Sequence, residues 1–321
     1  MADSSLDLAR QIRKEAARLG FAATGFSAPL PQSLSMQRLT TMINEKRHGE
    51  MNYMEARMVE RADPSVLLPG LRTIISTAIS YNYPLKYQEG VPKISKYALI
   101  DDYHHVVREK LEKLLAAIKI IVGEPLEALI AVDSLPIFEK NWAEDASIGK
   151  TGKNTLLKVP SAGSYVFLGE ILVNREIRSP GITLPNFCGS CSNCLEHCPT
   201  GAFVEPGKID ASKCISYLTV ELKREFTAEE AAMIGDRIFG CDLCQEVCPY
   251  NQQASIPAHE SFRVREELVH ISTEQLLNLS RSGFRELFYG TPVFRIGLRR
   301  LKRNARAVAE NLKRSGKMSP E

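Results

Sequence analysis

Cys188-Gly189-Ser190-Cys191-Ser192-Asn193-Cys194-Leu195-Glu196-His197-Cys198-Pro199 and Cys241-Asp242-Leu243-Cys244-Gln245-Glu246-Val247-Cys248-Pro249 set the reading of this chain. The first stretch is C-x2-C-x2-C-x3-C-P, and the second repeats its later part as C-x2-C-x3-C-P. Three close thiolates on a tight loop suit three iron corners of a 4Fe-4S cubane. The fourth cysteine, beyond a short helical turn, reaches a second cluster. A proline directly after it keeps the segment from continuing as helix.

All eight cysteines of the 321-residue chain lie between 188 and 248. A complete second run would need a cysteine at 238, where Ile238 stands, and Cys214 is the one cysteine outside both runs. By the crossed pattern, Cys188, Cys191, Cys194 and Cys248 hold one cluster. Cys198, Cys241, Cys244 and, by elimination, Cys214 hold the other. Disulfides do not suit a chain with no secretory signal. Zinc sites favour separated C-x2-C pairs over three thiols in seven residues.

Working outward, the N-terminus lacks an apolar core segment and a twin arginine, and no apolar run reaches membrane-spanning length. A cytoplasmic protein is expected. The net charge of +3 conceals an asymmetry. Residues 295 to 317 carry nine Lys/Arg and one Glu, so the rest of the chain is net acidic. A basic tail on an acidic body points to an anionic partner such as nucleic acid.

Apolar spacing predicts a helix over 5–19, a strand over 21–26, and a helix over 36–60 broken at Gly49. The β-branched run 73–81 reads as a buried strand, 103–122 as a strongly striped helix, and 128–132 and 165–173 as strands. A basic amphipathic helix is expected over about 296–314. The fold class is therefore α+β: a mixed sheet with covering helices over 1–175, a two-cluster ferredoxin-like domain over 176–255, and a short helical basic region over 256–321. There is no dinucleotide fingerprint and no P-loop.

Asp133 follows an apolar strand, so its carboxyl falls at the end of the strand beside the sheet mouth. Partly desolvated there, it could keep its proton near neutral pH and act as an acid; strand-end Asp residues also cap turns. The spaced glycines 149 and 152 could let backbone approach a large cofactor or could form a tight connection.

Taken together the chain resembles the epoxyqueuosine reductase family, cobalamin-dependent enzymes of queuosine biosynthesis. The resemblance rests on Arg57, Asp63-Pro64, Tyr97-Ala98, Asp102-Tyr103-His104, Asp133-Ser134-x-Pro136-x-x-Glu139, Gly149-x-x-Gly152-Lys153-Asn154-Thr155 and Phe167-Leu168-Gly169-Glu170. The cysteine pattern with its lone Cys214, and Arg303-Asn304, complete it. It departs at Ser147-Ile148, at Lys96, and in stopping at 321 where many members continue into a helical-repeat domain.

The resemblance implies base-off cobalamin over the sheet mouth and two 4Fe-4S clusters fed by an external low-potential electron donor. The implied substrate is tRNA carrying epoxyqueuosine in the anticodon loop, reduced from epoxide to cyclopentene. Asp133 matches the family's proton donor, and Arg57 and Tyr97 match positions near the corrin. Asn154, Ser216 and Asp242 are further corrin contacts to test. Arg295, Arg299, Arg300, Lys302, Arg303 and Arg306 are the expected phosphate contacts, on a monomer with no membrane attachment. The competing classes are a reductive dehalogenase-like corrinoid enzyme acting on a small molecule and a plain ferredoxin-type electron carrier.

Overall fold

The computed structural model of the protein describes residues 4–257 and 261–316. Its largest sheet has four strands, β1 (Ala23–Ser27), β2 (Thr73–Ser80), β4 (Ala128–Ala131) and β5 (Val166–Val173), in the order β1-β2-β5-β4. Every pairing in it is antiparallel, so the expected mixed sheet is corrected. The reason is topological. A helix carries the chain from β2 to β4, as in a βαβ unit, but β5 returns between them and pairs with both. A parallel pair does occur, between the two-residue β3 (Lys93–Ile94) and β6 (Arg237–Phe239).

All eight residues of β2 are buried, because the sheet is covered on both faces. On one face Ile75, Ile79 and Ile171 pack against Ile12 and Ala16 of α1 (Ser4–Arg18) and Val107, Leu111 and Leu114 of α2 (Tyr103–Val122). On the other, Ile74, Ala78 and Leu172 meet Trp142 and Ala143 of α3 (Glu139–Asp145). The two-residue alternation of a strand sends neighbouring side chains to opposite layers, so a doubly covered strand reads as one continuous apolar run. Asp102 caps α2 by accepting the His104 amide at 3.1 Å, and Gly123 ends it at φ 68°.

The helix expected over 36–60 is three pieces: Ser33–Asn44, a 3₁₀ turn at Asn52–Met54, and Met58–Ala62. Gly49 has φ +62°, and a Cβ there would come within 2.5 Å of the Tyr217 ring. The Tyr217 hydroxyl accepts the Glu50 amide at 2.8 Å, so this stretch is bent to meet the cysteine region.

The basic helix α4 (Gly297–Arg314) lies at its expected place. Its Leu301, Ala305, Val308 and Leu312 share one core with Ile215, Leu218, Ile234 and Ile238 of the cysteine region. Among the described residues no helix is long and apolar enough to cross a membrane.

Candidate active site at the sheet mouth and the cysteine loops

Each cysteine run folds as a loop closed by one helical turn, Asn193–Glu196 and Leu243–Glu246. Position 238 is not a ligand position because Ile238 lies inside β6 and is wholly buried. Cys214 comes from elsewhere, between a 3₁₀ turn capped by Asp210 and a π-turn over Tyr217–Glu221. Thr219 in that turn accepts the Gly240 amide at 2.9 Å, which binds the Cys214 segment to the Cys241 loop.

The thiols sort by which of them feel one another. Cys194 feels Cys188, Cys248 and Cys191. Cys214 feels Cys198, while Cys241 and Cys244 both feel Cys214. All eight are free thiols, and among the described residues no group of three or more His, Cys, Asp or Glu forms a metal-ion site. Free thiols gathered on two loops suit iron–sulfur clusters, in which each iron corner takes its own thiolate. Backbone amides already point at sulfur: Lys153 donates to Cys188 Sγ and Ala202 to Cys198 Sγ, each at 3.4 Å.

Residues 149–158 form a hairpin against these loops, with Lys150 and Thr151 paired to Lys158 and Leu157. Lys153 Nζ donates to the carbonyls of Gly189 (2.9 Å) and Cys191 (2.8 Å). Asn154 is buried and donates to the Cys244 carbonyl at 3.4 Å. A Cβ on Gly149 would meet the Lys158 carbonyl at 2.7 Å, and one on Gly152 would strike the Lys158 ammonium. Of the two readings of these glycines, the tight connection holds.

Asp133 sits just past β4 with φ 55°, a left-handed backbone for a residue with a Cβ. Its side chain is 48% exposed. Its Oδ2 accepts the Tyr103 hydroxyl at 2.9 Å and lies 3.2 Å from His104 Nε2, while His104 Nδ1 is 2.7 Å from Asp102 Oδ1. The Tyr103 ring stacks on His104 and on Phe167, at centroid distances of 4.1 and 4.2 Å. The Asp133 amide donates to Glu139 Oε1 at 2.8 Å, holding the strained turn in place.

This arrangement bears on the protonation of Asp133. The His104 hydrogen bond, outweighing burial, pushes Asp133 below its ordinary value. Hydrogen bonds donated to the Asp102 and Asp133 carboxylates raise His104 to about 9. Both shifts favour a charged imidazole beside an Asp133 carboxylate. The pair behind it titrates differently: burial, with Asp133 nearby, lifts Glu139 to about 7, and burial pushes Glu170 up. Neither Glu170 oxygen reaches hydrogen-bond geometry with a described residue, although Glu139 is close enough to raise it further. Sequence reasoning did not assign Asp102, Tyr103 or His104 a role. The available signal was an Asp-Tyr-His run at a helix start, which aims three polar side chains one way.

The remaining expected residues divide. Arg57 is at φ 56° and pairs with Glu60 at 3.0 Å. Tyr97 is half-buried between Tyr103 and Phe239. Arg295 pairs with Glu221 at 3.0 Å and acts on Tyr97, Tyr103 and Asp133. Tyr53, 58% exposed, feels the same Asp133, Glu221 and Arg295. Ser216 turns its amide toward Cys214. Asp242 is buried, accepting the Lys96 amide at 2.6 Å and Gln245 Nε2 at 3.2 Å, so it ties two loops together.

The basic helix is corrected in part. Arg303 is 4% exposed and donates to the carbonyls of Leu218 (3.1 Å), Leu222 (2.9 Å) and Arg224, with the Phe226 ring 4.0 Å from its Cζ. Asn304 donates to the Thr219 and Ile238 carbonyls at 2.8 and 2.9 Å. These two residues hold the Cys214 turn, and Arg303 is turned into the core rather than toward solvent. Arg300 also spends its donors on the Ile296, Val220 and Arg295 carbonyls. Arg299 and Arg306 are exposed and Lys302 half-exposed.

Residues 187–251 match the model of the 4Fe-4S double cluster binding domain, and residues 61–134 match that of epoxyqueuosine reductase QueG. An epoxyqueuosine reductase of Leadbetterella byssophila is 37% identical over 95% of this chain and 99% of its own length. That of Escherichia coli is 37% identical over 95% and 81%. A crystal structure of epoxyqueuosine reductase with an epoxyqueuosine-modified tRNA-Tyr stem loop superposes with a TM-score of 0.88. It is 29% identical and is matched over 97% of this chain and 83% of that one. A Bacillus subtilis epoxyqueuosine reductase whose catalytic aspartate loop is swung out of the active site superposes with a TM-score of 0.87, at 29% identity over 97% and 83% of the two chains.

Proposed function

The chain belongs to the epoxyqueuosine reductase family, an oxidoreductase family acting on epoxyqueuosine in tRNA, and we propose that Asp133 and His104 together deliver one of the two protons of that reduction, the other coming from solvent. The observation that carries this reading is the unbroken line Asp102–His104–Asp133 at the open mouth of the sheet. Removing the epoxide oxygen as water consumes protons as well as electrons. His104, held charged by two carboxylates, stores one near neutral pH. Asp133 receives it and passes it to the departing oxygen, while Tyr103 fixes the carboxylate and Glu139 fixes its backbone.

Cys188, Cys191, Cys194 and Cys248 would hold one 4Fe-4S cluster, and Cys198, Cys214, Cys241 and Cys244 the other. What supports this division is the way the thiols feel one another. Arg57, Tyr97 and Asn154, with Tyr53 and Arg295 at the mouth, would hold a base-off cobalamin, which with the clusters supplies the electrons for epoxide opening. Ser216 and Asp242 would act by shaping the cluster loops. An external low-potential donor feeds the clusters, the protein works as a cytoplasmic monomer, and the modified nucleotide is splayed out of its loop to reach Asp133. Arg299, Lys302 and Arg306 present the positive face that meets tRNA phosphates.

The test is anaerobic reconstitution with iron, sulfide, a corrinoid and a reductant, followed by nucleoside analysis of tRNA bearing the epoxide. Conversion to queuosine is expected. An intact epoxide with fully loaded protein would overturn the reading.

A further inference from the structure

Lys158 is the feature that the proposed chemistry leaves unexplained. It is 3% exposed, and its ammonium has one hydrogen-bond partner among the described residues, Asn154 Oδ1 at 3.2 Å. No described carboxylate forms an ion pair with it, although ion pairs are common elsewhere among the described residues, from Arg10–Asp7 to Arg314–Glu310. A buried cation without a counter-charge costs several kcal/mol, so a chain that keeps one must set a negative charge beside it.

Its surroundings say where that charge lies. The ammonium is pressed against Gly152, so closely that a Cβ there would sit 1.7 Å from Nζ. The Gly152 neighbour Lys153 gives its amide to Cys188 Sγ at 3.4 Å. Lys158 is also the charge acting most strongly on Cys194, ahead of the other thiols. Cys188 and Cys194 belong to the same proposed ligand set. Asn154, the partner of Lys158, reaches toward the other set through the Cys244 carbonyl at 3.4 Å.

We propose that Lys158 is the buried counter-cation of the cluster held by Cys188, Cys191, Cys194 and Cys248, and that it sets that cluster's reduction potential above what the same ligands would give alone. A 4Fe-4S core with four thiolates is a net anion and gains one more negative charge on reduction. A fixed positive charge beside it favours the reduced form, and net charge and hydrogen bonding are the levers by which a protein tunes such potentials. The positioning role of Lys158 is thus electrostatic. It rests on the ligand division proposed above, and it is separable from that division by experiment.

The experiment is an EPR-monitored redox titration of the anaerobically reconstituted full chain, comparing wild type with Lys158→Gln and Lys158→Arg. The Gln variant keeps a donor for Asn154 but has no charge; the Arg variant keeps the charge. At a fixed applied potential, Lys158→Gln is expected to lower the reduced-to-oxidised ratio of one cluster at least tenfold, about 59 mV for a one-electron couple. The second cluster should move much less, and Lys158→Arg should restore the first. Loss of one cluster's iron in the Gln variant with retention in the Arg variant would equally support a counter-cation. Unchanged potentials in Lys158→Gln, or equal failure of both variants, would overturn the proposal while leaving the clusters in place. Wild-type protein with no cluster signal would instead sink the ligand reading beneath it.

Discussion

The cysteine loops and the Asp133 mouth are built in opposite ways. In the loops, seven of the eight cysteines come from two contiguous runs, and amide-to-sulfur contacts at 3.4 Å hold Cys188 and Cys198. At the mouth, the working groups arrive from separate elements: Asp133 from the end of β4, Asp102, Tyr103 and His104 from the start of α2, Glu139 from α3, and Arg295 from the segment before α4. A site made of one loop declares itself by spacing. A site made of four elements declares its chemistry only when the elements are brought together, and the protonation states then follow from neighbours that spacing does not reveal.

The largest expected effect falls on the loops. Cys214→Ser should reduce iron from about eight to about four per chain and abolish turnover, because no spare thiol exists to replace it. Unchanged iron content would place Cys214 outside the ligand set. At the mouth, Asp133→Asn should leave iron content and tRNA affinity intact while slowing single-turnover reduction by roughly 10²–10⁴-fold, the range for a positioned proton donor. A wild-type single-turnover rate would remove Asp133 from the proton path.

Asp102→Asn is expected to be milder. The Asp102 hydrogen bond does most to raise the His104 value, so its loss should move the alkaline limb down from about 9. The rate at pH 8 should fall on the order of tenfold, with little change at pH 6. Equal losses at both pH values would point to a folding defect. The sign for stability is the same: a folded value raised above the ordinary 6.5 stabilises fully below 6.5 and loses that contribution as pH rises through about 9.

The basic helix gives the smallest effect and the sharpest division. Arg299→Glu with Arg306→Glu should weaken tRNA binding and reduce the salt slope by roughly two, near one per lost phosphate contact. Arg303→Ala should leave that slope unchanged and instead cost roughly 2–4 kcal/mol of stability, since it strips donors from buried carbonyls. A salt slope altered by Arg303→Ala alone would reverse this assignment.

Much of the fold was legible. β2, β5 and α2 lie within a residue of their expected ends, because doubly covered strands and striped helices leave strong apolar signals. The sheet's antiparallel pairing was not, since which strand returns between β2 and β4 is a matter of tertiary packing. The break at Gly49 was legible, but its partner Tyr217, some 170 residues away, was not. Within the basic helix, charge alone could not separate Arg303, turned into the core, from Arg299 on the surface. Asp133 was found from its place at a strand end, but its hydrogen bond with His104 was not, because His104 lies 29 residues earlier in the chain.

The central claim is that the transferable proton is stored on His104 and relayed through Asp133. It is tested most directly by the pH dependence of single-turnover epoxide reduction in fully loaded wild-type protein. The expected profile is flat through neutrality and falls as pH rises through about 9. A rate that is already falling between about pH 4 and 5, where an ordinary carboxylic acid loses its proton, would show that Asp133 carries the proton itself and would contradict the account.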